Sequence, residues 1–188
     1  YGSLRKVIED ANSRDTITFD SSVSGTITLT NTNHINIDKD LKIVGPSDGS
    51  LTVSGNDTNR IFNIESGKNV EISYLNFTKG SDNSDTYLLD PNDENNYGGA
   101  IHNAGNLTIN NSTLDQNNSF CSGGAITSWA GSTLTVNNST FSNNNAGAIG
   151  SGGAIYGYSN ATVTINNSTF NGNSATADGF GGAIWIES

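Results

Sequence analysis

The chain has 188 residues, 33% of them hydrophobic, with 22 Gly, 29 Asn, one Cys and no Met. Its net charge is −10, and no Lys or Arg follows Lys79, which excludes the clustered cations that binding to nucleic acid requires. The single cysteine, Cys121, excludes an internal disulfide, and no apolar run approaches the roughly 18 residues of a membrane span.

The opening segment SLRKVIEDAN places Leu4, Val7, Ile8 and Ala11 at i, i+3, i+4 and i+7, with Ser3 at the N-cap position. This predicts a short amphipathic helix, the main part of an N-terminal cap over residues 1–15. Such a helix can cover the open first layer of a stack of strands. From Thr16 to Lys79 come short alternating segments, TITF, TITLT, INI, LKIV, LTV, RIFNI and VEI, separated by turn residues as in VSG, GPSDG and ESGKN. These are less regular strand coils. Residues 80–97, GSDNSDTYLLDPNDENNY, interrupt the rhythm as an acidic insertion.

From residue 98 two phrases interleave. GGAI closes at Ile101, Ile126, Ile155 and Ile184, and LTINNST, LTVNNST and VTINNST begin at Leu107, Leu134 and Val163. Steps of 25 to 29 residues leave no room for helical crossovers between so many strands. The fold class expected is therefore all-β. We expect a right-handed, single-stranded parallel β-helix, a solenoid of three strands per coil and about seven coils, forming one domain over 1–188. Three interior columns are expected. The first is Ile64, Ile101, Ile126, Ile155 and Ile184; the second Val70, Leu107, Leu134 and Val163; the third Phe77, Leu114, Phe141 and Phe170. Asn110-Asn111, Asn137-Asn138 and Asn166-Asn167 fall at a corner, where Asn tolerates left-handed backbone and stacked amides can bond in a ladder. The paired glycines serve the opposite corner.

GGAI alternating with FSNN at 141–144 and FNGN at 170–173 resembles the GGAI and FxxN repeats of polymorphic outer membrane proteins and adhesin-like surface proteins. GSLRKVIEDAN followed by DTITF, GTITLT and LKIVGP is similar to the CSLREA-type N-terminal region of secreted β-helix proteins. Tyr-Gly stands here where that pattern has Cys, and LDQN at 114–117 departs from FxxN. The resemblance implies a right-handed parallel β-helix in a secreted or cell-surface, adhesive protein.

Enzymatic β-helices need a base beside carboxylates, or two carboxylates about 5 to 10 Å apart. Coils beyond Lys79 offer no Lys or Arg, and Asp115 is followed in its column by Ser142 and Asn171. Arg60, Lys68 and Lys79 with Glu65 and Glu71 are the residues a lyase could use. In the insertion, Asp82, Asp85, Asp90, Asp93 and Glu94 are oxygen ligands of the kind Ca²⁺ prefers, though their spacing is not that of a calcium loop. Trp129, Tyr156, Tyr158 and Trp185 flank the GGAI corner as a candidate stacking surface for a glycan or protein partner.

The expectation is a non-catalytic, adhesin-like scaffold, extracellular or at the cell surface, with no cofactor beyond a candidate Ca²⁺. The chain is expected to be part of a longer one. Its expected partner is a cell-surface or extracellular-matrix component, such as a glycan, with end-to-end self-association as a further mode. A carbohydrate-active β-helix that binds or cleaves polysaccharide is the alternative.

Overall fold

A computed structural model describes residues 3–30, 33–82, 97–147, 150–176 and 179–187. The Ser3 hydroxyl accepts the Lys6 N–H and caps the helix α1 (Leu4–Asp10). Leu4 and Ile8 are buried against the first coil, while Val7, expected on the same stripe, is 41% exposed. A seven-residue helix laid across the end of a narrow core buries one i, i+4 ridge and leaves its flank in solvent.

Beyond the helix the chain winds as a parallel β-solenoid of about five turns. The first face runs from Asp15–Thr18 to Thr162–Asn166, the second from Gly25–Thr28 to Thr169–Asn171, and the third from Ile35–Ile37 to Ile184–Ile186. Each of these three faces is a six-stranded sheet, against the seven coils expected. A fourth, four-stranded sheet of two-residue strands lies between the second and third faces, from Ser81–Asp82 to Ser174–Ala175. Three strands per coil thus become four wherever that corner is straight enough to pair.

Apolar side chains stack by type along a single core. Leu41, Val70, Leu107, Leu134 and Val163 pair on the first face, and Phe77, Leu114, Phe141 and Phe170 on the second. The Phe141 and Phe170 rings are 4.9 Å apart and 12° from parallel, so one ring tiles the next at the spacing of the strands. The third face corrects one expected column. Ile101 pairs with Phe62, not Ile64, and Ile64 pairs with Asn103. RIFNI offers two inward apolar residues two apart where GGAI offers one, so the sequence period leaves the choice between them open.

The corners explain the asparagines. Asn111, Asn138 and Asn167 have φ of 49°, 49° and 48°, so the second Asn of each pair makes the left-handed turn and stays exposed. The first Asn makes the ladder: Asn137 Nδ2 donates to Asn110 Oδ1 at 2.9 Å, and Asn166 Nδ2 to Asn137 Oδ1 at 2.8 Å. A second ladder lies inside. The Asn117 N–H and Nδ2 both donate to Asn144 Oδ1, and the same two donors of Asn144 go to Asn173 Oδ1. These are the fourth residues of LDQN, FSNN and FNGN. At the last corner Gly98, Gly123, Gly152 and Gly181 have φ between 65° and 76°. The glycine after each of the first three lies close to the next coil: a Cβ on Gly124 would sit 2.2 Å from the Gly153 carbonyl oxygen.

Candidate functional site

The outward side of the third face carries both tryptophans, with Tyr156 and Tyr158 beside them. Strand alternation points Asn36, Asn63, His102, Thr127, Tyr156 and Trp185 outward in one column. Just past each strand, the Trp129, Tyr158 and Glu187 N–H groups bond the preceding coil in the same way, to the carbonyls of Asn103, Ser128 and Gly157. Trp129, Tyr158 and Glu187 therefore form a second column, beside the first. The Trp129 and Tyr158 rings stack at 4.5 Å, 7° from parallel. The Tyr156 hydroxyl donates to Glu187 Oε2 at 3.1 Å, and its proton is held more tightly than usual by burial first and by that carboxylate second.

The four aromatics expected to flank the GGAI corner thus belong to one cluster. Tyr97, Phe120 and Cys121 complete it, none of them a site candidate in the sequence. Tyr97 lies 5.2 Å from Trp129 and 6.2 Å from Tyr156, centroid to centroid, so the C-terminal root of the acidic insertion is packed onto the aromatic surface. Its only sequence signal is an aromatic residue directly before GGAI. Cys121 is buried, and burial with nearby Asp82 pushes its thiol up to about 12, so no thiolate nucleophile forms near neutrality.

His102 lies beneath this layer, fully buried, with its ring 5.5 Å from Trp129. Nδ1 is 3.0 Å from Asn63 Oδ1, and Nε2 has no hydrogen-bond partner among the described residues. Burial chiefly, with Arg60 and His34 adding like charge, lowers its pKa to about 3. It is a neutral, packed imidazole.

Arg60 closes the base of the insertion. Its guanidinium donates to Asp82 Oδ2 at 2.8 Å on one side, and to the carbonyls of Tyr97 (2.8 Å) and Gly98 (3.1 Å) on the other. Both charged side chains are nearly inaccessible. Asp82, the first of the five acids weighed as calcium ligands, is thus engaged by a cation, and Asp85, Asp90, Asp93 and Glu94 lie outside the described residues. Arg60 is equally unavailable as a base. Lys79 lies 3.8 Å from Asp57, Glu65 accepts from Asn36, and Glu71 pairs with Lys42 at 3.0 Å, so each of these three already has a partner, while Lys68 shares the Glu65 turn, its N–H bonded to the Glu65 carbonyl. Asp115 accepts from Ser142 Oγ and Asn143 Nδ2. Among the described residues, no group of three or more His, Cys, Asp or Glu is placed to hold a metal ion.

A shallow groove of about 380 Å³ crosses the outside of the first face. One rail is the chain of bonds from Asn106 to Asn69 to Asp40, the other the Lys42–Glu71 pair. It presents polar groups without a nucleophile and base in contact.

These features define a repeat scaffold of the parallel β-solenoid class, with an aromatic strip on its third face and a polar groove on its first. Residues 138–158 and 167–187 match the family model of the Chlamydia polymorphic membrane protein repeat. Each match starts at a left-handed corner Asn and ends at or just past a third-face strand, so it takes in the inner Asn ladder and the glycine corner. No curated protein and no solved structure matches the chain.

Proposed function

We propose that this chain is a non-catalytic, adhesin-like segment of a secreted or cell-surface protein, a rigid scaffold that displays a recognition surface at the third face. The observation that carries the reading is the pair of repeat matches to polymorphic membrane protein repeats, which lie over coils whose polar residues are consumed in inter-coil bonding. A scaffold of this kind gains rigidity from every coil, and its loops and outward columns are free to carry contacts. The partner is a component of a cell surface or extracellular matrix.

The test is direct. Beads coated with the chain should adhere to cells or matrix, and soluble chain should compete. A coated bead that binds no better than one coated with an unrelated acidic protein overturns the reading.

The polar groove on the first face favours a second reading, binding of a polysaccharide along the solenoid axis. Incubation with uronate and neutral polysaccharides separates binding from cleavage; turnover lost in Glu71→Gln would replace the scaffold reading with an enzymatic one.

A further inference from the structure

The aromatic strip on the third face has a definite composition, repeated coil by coil. Three successive coils present Thr127 with Trp129, Tyr156 with Tyr158, and Trp185 with Glu187, each pair two residues apart on the outside of the solenoid. Along the second column two stacked rings lead into a carboxylate. Trp129, Tyr158, Trp185 and Glu187 are all partly exposed, and Phe180, stacked on Trp185 at 4.8 Å, is 61% exposed.

Three properties select the occupant. Ring faces carry negative charge density and attract a guanidinium, which also stacks on them as a planar group. The carboxylate one coil further gives the same group a fork-shaped acceptor. The chain beyond Lys79 has eight acidic residues and no Lys or Arg, so the field over this half of the solenoid draws cations. A sugar would need hydroxyl-directed donors and acceptors beside the rings. Two polar groups of this strip are already used: the Tyr156 hydroxyl by Glu187, and Thr127 Oγ1 by the Ser122 carbonyl.

We propose that the Trp129–Tyr158–Glu187 column is a docking strip for arginine side chains of a basic polypeptide partner. This rests on the reading of the chain as a surface-binding scaffold and names the chemistry of what it binds.

Both tryptophans of the chain belong to the strip or its edge, so their fluorescence reports occupancy directly. Titration with a hexa-arginine peptide should change that emission saturably, with an affinity that falls as salt rises. Glu187→Gln, and separately Phe180→Ser, which alters an exposed ring and leaves the net charge unchanged, should each weaken binding at least fivefold. Hexa-lysine should bind more weakly than hexa-arginine. The proposal is overturned if Phe180→Ser and Tyr158→Ala bind hexa-arginine as the parent does, since attraction would then be a matter of net charge alone. It is equally overturned if a neutral or acidic polysaccharide quenches the tryptophans and the peptide does not. Adhesion of coated beads that persists without peptide binding would sink this inference and leave the scaffold reading standing.

Discussion

Asn117 and Asn144 are joined by two hydrogen bonds that converge on one oxygen: the backbone N–H and the side-chain Nδ2 of Asn117 both donate to Asn144 Oδ1, at 3.0 and 2.9 Å. Asn144 then returns its own Nδ2 to the Leu114 carbonyl at 2.9 Å. Asn144 is fully buried, so no solvent can replace these bonds. Asn144→Ala should lower stability by about 3 to 5 kcal/mol, since it leaves several buried groups unpaired at ~1 to 3 kcal/mol each. Asn143→Ala, at the exposed neighbour, should cost far less. Urea unfolding midpoints of the two variants check the contrast.

The Arg60–Asp82 pair predicts that changing both residues costs less than changing one. Arg60→Met takes the guanidinium away from a buried carboxylate and two carbonyls and should cost about 3 to 5 kcal/mol. Arg60→Met combined with Asp82→Leu should recover a large part of that loss, because the desolvated charges leave together. If the double variant is as unstable as the sum of the two singles, the pair is not coupled as its geometry requires.

Acid should destabilise the fold through its two histidines. Burial foremost lowers His34 to about 4 and His102 to about 3, against 6.5 for the free side chain. The unfolded chain therefore takes up protons first as pH falls. The stability these residues contribute is fully present above pH 6.5 and is lost progressively as pH drops from there toward 3. His102→Gln should flatten the part of the melting profile below pH 6.5, measured as Tm against pH; an unchanged slope would locate the acid sensitivity elsewhere.

Two kinds of glycine should respond differently to a side chain. Gly153→Ala would bring a Cβ to 2.1 Å from the Gly182 carbonyl oxygen, a backbone atom that cannot retreat without parting the coils. That variant should fail to fold or lose most of its stability. Gly49 has positive φ, 70°, and open space around it, so Gly49→Asn should be tolerated with a change of about 1 kcal/mol or less. Expression yield and thermal melting of the pair decide the matter.

The sequence shows the stacking because each column keeps one chemical type at one position of the period. Leu107, Leu134 and Val163, or Leu114, Phe141 and Phe170, repeat visibly once the spacing of the coils is known. The fourth sheet is invisible in it: strands such as Asn118–Ser119 are two residues long and carry no apolar alternation. Two apolar residues two apart cannot tell Phe62 from Ile64 as the partner of Ile101, since both point inward. At the candidate surface, Trp129, Tyr156, Tyr158 and Trp185 stand out as large rings near a repeated corner, but their assembly into columns depends on the coil register. The role of Arg60 needed the closure of a path over 20 residues apart in sequence, for which no local pattern gives a sign.

Near-identical coils pose a problem of fidelity: a strand could dock one repeat too early and still find the same partners. The third face resists this. Ile37, Ile64, Asn103, Ser128, Gly157 and Ile186 share a single column, and no two of the middle four are alike. Asn103 gives its Nδ2 to Ser128 Oγ and to the Thr133 carbonyl, and the first of these bonds needs a hydroxyl at that place in the column. A slip by one repeat would set that amide against Gly157, which has no side chain to answer it. The column thus works as a serial number within an otherwise uniform stack, telling each coil its place during assembly.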